Sequence, residues 1–352
     1  MTRGDVERLV REGQPVIGID LQGVDLGGAA LGGGVFEQVR FDRAKLVGAS
    51  FQESSLIHCS FDECDMAGVN LRHAFVHQCS FISTSLVGAR LEVTTFTETA
   101  LAFANLSGIQ ARATNFMGCN LAGANFAASH FESGQLYQTR LDNADLSRVH
   151  FNQMTFFEAD LRTAILAGAT FEQTVFFQST LAGQDMRTVS LPRAQLLSAD
   201  LDGCDFREGT LEQTNFSECK LGKARFDACK GSYAAFGGSK MRESSFVGAK
   251  MAGCEFAQAD VAQADFRQAD LRNAIFLRSS CVGTRFGDAN LVWSELSYAD
   301  LSHADFVGAD LKRAKLHGIR DEGTIWGGAK SGAFSEDADL RAAEHWMPPE
   351  RS

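Results

Sequence analysis

Proline is nearly absent from this sequence of 352 residues: four occur, and Pro15, Pro348 and Pro349 lie outside residues 21–316, leaving Pro192 within. No apolar run approaches the ~18 residues that a membrane-spanning helix needs, so no membrane role is expected. The opening segment MTRGDVERLVREGQ is charged throughout and lacks the apolar centre of a secretory leader, which points to the cytoplasm. Nine cysteines are present, yet no C-x-x-C pair, which argues against a zinc knuckle or a dithiol redox centre. There is no Ser/His/Asp arrangement, no pair of acids set for catalysis and no glycine loop shaped for phosphate. No enzyme activity, cofactor or metal is expected. The chain is acidic, with a net charge of −11.

What is present is a period of five. In residues 249–270, AKMAGCEFAQADVAQADFRQAD, a bulky apolar side chain recurs at Met251, Phe256, Val261 and Phe266, and a small residue stands two places before each. Calling the bulky position i, it falls on every number ending in 1 or 6, and from Leu21 to Leu316 there are 60 such positions, of which 28 are Leu, 23 Phe and 4 Met. The exceptions are Val76, Ala111, Gly231, Val261 and Cys281, and the register never slips, so no inserted loop is expected. An extended chain alternates its sides, which puts i−2 and i on one side and i−1 on the other. Positions i+1 and i+2 then turn a corner. Of 34 glycines, 22 occupy i+2, where a permissive backbone helps. Pro192 at i+1 suits a corner as well. Neither the 3.6-residue helical period nor the two-residue strand period generates this pattern.

Units such as Ala264-Asp265-Phe266-Arg267-Gln268 and Ala309-Asp310-Leu311-Lys312-Arg313 resemble the A(D/N)LXX motif of pentapeptide-repeat proteins. The resemblance implies an all-β fold, a right-handed quadrilateral β-helix with four pentapeptides per coil, hence about 15 coils with short terminal caps and a length of about 70 Å at strand spacing. Residues twenty apart then lie one above another. Phe206, Phe226, Phe246, Phe266, Phe286 and Phe306 become one interior stack continued by Trp326, and Phe216, Phe236, Phe256 and Phe276 a second. Ile109 beside Ala111 reads as local compensation, Gly231 as a notch, and Gln184 and Met154 at i−2 as local repacking. With a filled interior and no inserted loops, no deep pocket is expected.

Three segments follow: a helical N-terminal cap over residues 1–15, the array over 16–330 and a C-terminal cap and tail over 331–352. Val6, Leu9 and Val10 share a face of a short helix at residues 3–12, which Gly13 ends. Ser335 reads as an N-cap, and Leu340, Ala343 and Met347 as the apolar face of a helix over 336–347 covering the last coil. The alternative role for this tail, implied by the resemblance, is pairing into a homodimer.

Eight cysteines (Cys59, Cys64, Cys79, Cys119, Cys204, Cys219, Cys229, Cys254) occupy i−2 and Cys281 occupies i, so all nine are expected inside as reduced packing residues, Cys59 and Cys79 one coil apart. His130 and His150 share a face beside Glu132 and read as a solvated pair.

Labelling the four faces A, B, C and D from Leu21, Leu26, Leu31 and Phe36, the repeats carry 34 acidic and 26 basic residues in total, and no face is substantially basic. Direct nucleic-acid binding is therefore not expected. Face D carries 6 acidic and 2 basic residues, with no Lys or Arg at an outward position before Arg278. Its i+1 column contains Met117, Tyr137, Phe157, Phe177 and Leu197, five apolar rungs spanning about 19 Å at strand spacing. A contiguous apolar strip of this kind marks a contact site, and these five residues are the candidate protein interface. Trp293 and Tyr298 form a second candidate. On face C, Arg72, Glu92, Arg112 and Glu132 alternate in sign as a solvated ladder.

The residues thus point to a non-enzymatic, rigid scaffold that docks a protein partner through face D. Two alternatives come from resemblance. Quinolone-resistance members of the family act as DNA mimics on DNA gyrase or topoisomerase. Duplex DNA places about one charge per 1.7 Å, however, so about 70 Å would carry some 40, far more than the net of this array. The lead-in DVERLVREGQPVIGIDLQGVDLGGAAL is similar to that of arrays accompanying bacterial type VI secretion adaptors and effectors, which suits an accessory protein of such a system.

Overall fold

A computed structural model describes residues 1–344 and residue 346. The chain divides into two compact units, Met1–Asp200 and Leu201–Ser352. Each is wound with the same twenty-residue register, so the β-helix that the resemblance implies is the fold.

The first unit opens with α1 (Arg3–Arg11). Thr2 and Asp5 form a reciprocal capping box at its start, and Gly13, at φ +67°, follows its end. The helix lies against the first coil: Val6 is fully buried, both terminal nitrogens of Arg3 donate to the carbonyls of Gly27 and Gly28 at 2.6 and 2.9 Å, and Glu7 accepts from the Ala30 N–H at 3.0 Å.

Among the described residues, twelve strands follow, all in this unit. They are β1 (Val16–Ile17), β2 (Val35–Glu37), β3 (Ser55–Ile57), β4 (Phe75–His77), β5 (Thr95–Thr97), β6 (Gln110–Arg112), β7 (Asn115–Met117), β8 (His130–Tyr137), β9 (His150–Phe157), β10 (Thr170–Glu172), β11 (Val175–Phe177) and β12 (Gln195–Leu197). Ten of them stack in one parallel column on face D, in the order β1-β2-β3-β4-β5-β7-β8-β9-β11-β12. Their register is Val16↔Phe36, Leu56↔Val76 and so on at twenty residues. β6 and β10 pair with β8 and β9 on face C. Of the coils expected from the sequence, nine are bounded by this column. Elsewhere single-residue bridges carry the register, as in Asp25↔Lys45 of the first unit and Asp265↔Arg285 of the second.

The sequence dictates this winding locally. Residue i donates its N–H to the coil above, as Phe41 does to the Ser60 carbonyl at 2.7 Å, and the corner closes by the Ala44 N–H donating to the Phe41 carbonyl at 2.8 Å. Position i+2 lies in the left-handed region at nearly every corner, whether or not it is glycine: Val93 has φ +58° and Trp293 φ +64°. Glycine's freedom is thus used at this corner but not demanded by it. Just past the face D corner, at i−2 of face A, the N–H reaches a side chain in the next coil. The Cys59 N–H donates to Cys79 Sγ at 3.3 Å and the Ala159 N–H to Ser179 Oγ at 3.2 Å. The small residues at i−2 therefore act as acceptors as well as fillers.

Positions i and i−2 line the interior of both units. In the second unit the stack from Phe206 to Phe306, ending on Trp326, has ring centroids 4.5–5.4 Å apart. The stack from Phe216 to Phe276 has spacings of 4.7–5.0 Å. Neighbours between the stacks meet edge to face, as Phe246 and Phe256 do at 6.0 Å and 89°, the arrangement that aromatic quadrupoles favour. Ile109 and Ala111 are both buried, as is Met154.

Three expectations are corrected. Gly231 leaves no notch, because Met251 Sδ comes within 2.7 Å of where a Cβ on Gly231 would stand. The C-terminal helix, α2 (Ala338–Glu344), is shorter than expected and has no buried residue; Leu340 is 43% exposed. Its apolar residues therefore do not cover the last coil, and Met347 lies outside the described residues. Its cap is Asp337, not Ser335, with Asp337 Oδ1 accepting from the Asp339 and Leu340 N–H groups at 3.1 and 3.0 Å. The array's final bridge, Lys315↔Phe334, falls one residue short of the register. Among the described residues, no helix is long and apolar enough to cross a membrane.

Candidate protein-docking face

The face D strip is built by strand pairing within the first unit. Met117 pairs with Tyr137, Tyr137 with Phe157, Phe157 with Phe177, and Phe177 with Leu197. The three aromatic rings lie nearly parallel, Tyr137 on Phe157 at 4.9 Å and 14°, Phe157 on Phe177 at 5.4 Å and 21°. The structure thus brings all five predicted residues into one line. It also corrects their environment: each is half-buried rather than fully exposed, because each ring covers part of the next.

The central rungs Tyr137 and Phe157 end β8 and β9, eight residues each, whose pairing continues across the C–D corner although Ser133 and Gln153 keep the corner's positive φ of 52° and 54°. Gly134 makes this passage fit: a Cβ there would stand 2.2 Å from the Thr114 carbonyl oxygen. Beside the strip, position i+2 holds an amide–carboxylate ladder. Gln78 Nε2 donates to Glu98 Oε2 and Gln138 Nε2 to Glu158 Oε2, both at 2.7 Å.

Sequence reasoning missed the rest of this apolar surface. Toward the N-terminus of the same column, Ile17, Val35 and Phe75 are 52%, 45% and 45% exposed, more than any member of the strip. Val35 and Phe75 sit at i−1, so reading that column together with i+1 finds them.

The other candidates separate from this face. Trp293, 51% exposed, carries the Arg313 guanidinium 4.7 Å above its ring, and Arg278 lies 5.3 Å from the Tyr298 ring. His130 and His150 have ring centroids 4.7 Å apart, tilted by 35°, but His150 meets Glu172 at 3.4 Å while Glu132 turns to Arg112 at 3.9 Å. Arg72 and Glu92 of the expected ladder meet at 2.6 Å. Gln184, at i−2, donates from Nε2 to the Leu161 and Ala164 carbonyls at 2.6 and 2.9 Å.

All nine cysteines are buried and unbridged. Burial pushes the thiols of Cys64, Cys229, Cys254 and Cys281 up to about 12. Among the described residues, no group of three or more His, Cys, Asp or Glu side chains is placed to hold a metal.

A recess forms at the end of the second unit, open to solvent rather than the deep pocket that the sequence argues against. An open cleft of about 670 Å³ lies between face D and the C-terminal segment, lined by Leu277, Glu295, Tyr298, Lys315, His317 and Phe334 among others. Its polar groups are bound to one another. Lys315 meets Glu295 at 3.0 Å; His317 Nδ1 accepts from the Asp337 N–H at 3.1 Å, and Nε2 faces Glu344 at 3.4 Å. Both ring nitrogens of His317 therefore hold the tail.

Three repeat-family descriptions match the chain. "Pentapeptide repeat region" matches residues 35–110 and 249–324, "Pentapeptide repeats (9 copies)" residues 136–181, and "Pentapeptide repeats (8 copies)" residues 94–132 and 210–248. No curated protein matches the chain. Solved structures similar to it include a pentapeptide repeat protein of the Arabidopsis thaliana thylakoid lumen, at 28% identity over 28% of this chain and 66% of that one, with a TM-score of 0.22. HetL of Nostoc sp. strain PCC 7120, involved in heterocyst differentiation regulation, is 20% identical over 70% of this chain and 86% of its own, with a TM-score of 0.24. QnrB1, a plasmid-mediated fluoroquinolone resistance protein, is 16% identical over 58% and 92%, with a TM-score of 0.27. Matched by repeat descriptions along most of the interval from residue 35 to 324, and coiled at twenty residues in both units, the chain belongs to the pentapeptide-repeat family.

Proposed function

We propose that this protein is a non-enzymatic binding scaffold that docks a protein partner through Met117, Tyr137, Phe157, Phe177 and Leu197. The observation that carries this reading is the line of five apolar side chains on a parallel sheet whose outward positions in this unit hold no Lys or Arg. Stacked aromatics on a rigid support lose little freedom when a partner covers them, which suits the centre of an interface. We keep α1 as an N-terminal cap and place the protein in the cytoplasm, where interior thiols stay reduced.

The topoisomerase-mimic alternative has less support. Many surface acids are neutralised in place: Asp160 by Arg162, Asp205 by Arg207, Asp265 by Arg267 and Asp270 by Arg272, at 2.6–2.7 Å. A supercoiling assay with purified protein tests it, and inhibition or protection of gyrase at micromolar levels would restore it. For the scaffold, the Phe157→Ser/Phe177→Ser double variant keeps the circular dichroism of the parent and loses the proteins that the parent retains from its native extract. Retention of the same proteins by the variant would refute the assignment of the strip.

A further inference from the structure

We propose that the face D strip receives an amphipathic α-helix of a partner protein, about 13 residues long at 1.5 Å per residue, with an apolar stripe flanked by lysine or arginine. This rests on the docking reading above and specifies the occupant. Three observations lead to it.

The first is charge. The rim beside the strip holds Glu98 and Glu158, and neither forms an ion pair among the described residues; each takes a hydrogen bond from a glutamine instead. Glu37 stands further along the same face, and no Lys or Arg occupies an outward position of the column in this unit. Elsewhere in the chain, surface acids are commonly bracketed by arginine. An occupant bringing cations to this rim would gain paired charges without displacing any already present. A second copy of the chain would set glutamates against glutamates, in a protein whose net charge is already −11.

The second is spacing. The rungs of the strip repeat at about 4.8 Å, close to the helical pitch of about 5.4 Å, so a helix lying across the strands presents one turn to each rung. Over five rungs the mismatch amounts to about half a turn.

The third is a precedent within the chain. In the second unit, α2 lies against the same column of positions: Glu344 accepts from the Tyr298 hydroxyl at i+2 and faces His317 at i+1, while the Asp337 N–H donates to His317. There the column already carries a helix, through polar contacts. In the first unit the i+1 position is apolar and i+2 is acidic, which calls for an apolar stripe with basic flanks.

The test uses the full chain and two synthetic helices sharing one leucine stripe, one flanked by lysine and its twin by glutamate, with binding read by fluorescence anisotropy. The lysine helix binds at least ten-fold tighter than its twin at low salt, and the advantage shrinks at high salt, as screening requires. Glu98→Gln/Glu158→Gln narrows the gap, and Phe157→Ser/Phe177→Ser removes binding of both. Equal affinity of the twins, with both lost in the phenylalanine variant, overturns the basic-helix proposal and leaves the docking strip standing. Absence of lysine-helix binding overturns the proposal too. Binding that survives the phenylalanine variant sinks the strip itself. Sedimentation showing self-association that the same variant abolishes replaces the helix with a second copy.

Discussion

The ring of Phe103 lies over the backbone of Gly123, its edge carbons 2.6 Å from where a Cβ on Gly123 would stand. Both residues occupy i+2 corners, at φ +59° and +66°, one coil apart. The same arrangement joins Tyr233 to Gly253, within the second unit. Each of these rings thus occupies the space that a side chain one coil further on would need, whereas Trp293 at another corner lies under Arg313 instead. Gly123→Ala meets both a left-handed backbone and an occupied space, and is expected to lower stability by about 1–3 kcal/mol. The Phe103→Ala/Gly123→Ala double variant recovers the steric part. Chemical denaturation measures both; an unaltered midpoint in the single variant would disprove the coupling.

Phe256 stacks on Phe236 and Phe276 at 5.0 and 4.7 Å and meets Phe246 and Phe266 edge to face. Phe256→Ala is expected to cost about 3–5 kcal/mol, and Phe256→Leu, which half of the other i positions already tolerate, considerably less. Thermal melts of the two variants give the order.

The thiols offer a test of the filled interior. With Cys119 pushed up to about 11 by burial and several others to about 12, the thiolate is scarce at neutral pH. Native protein is expected to resist iodoacetamide and to take up nine labels in denaturant, read by intact mass. Rapid labelling of any cysteine without denaturant would show an open interior.

Acid should weaken the protein through its Asp-x-Arg brackets. Hydrogen bonds from Arg162, Arg207 and Arg272 hold the carboxyls of Asp160, Asp205 and Asp270 below the usual aspartate value. A depressed folded-state value stabilises fully above the unfolded value of about 3.9 and is lost as pH falls through the lower one. The melting temperature is therefore flat at mildly acidic pH and drops below about pH 4. Replacing the three arginines with glutamine flattens that drop; an unchanged acid limb would assign it to other carboxylates.

Much of this fold is legible because one rule, bulky at i and small at i−2, is repeated with the chain's whole hydrophobic content behind it. What the rule leaves out is compensation between coils. Met251 fills the space above Gly231, and Phe103 selects Gly123, at distances of twenty residues that a five-residue pattern does not display. The candidate strip was legible as a column, but its half-burial was not, since that depends on how far each ring leans onto the next. The tail has no period at all. Asp337 rather than Ser335 caps α2 because the Asp337 backbone is already fixed by its bond to His317.

The constancy of the twenty-residue pairing has a genetic corollary. Removing a whole coil from the first unit would merely shorten it, with every side chain still above its former kind. Removing a single pentad would preserve the buried pattern yet swing all that follows by a quarter turn, carrying Phe157 and Phe177 round to a neighbouring wall. Length changes of a pentad that do not complete a coil thus keep the buried pattern while being read as rotations by anything that grips the outside.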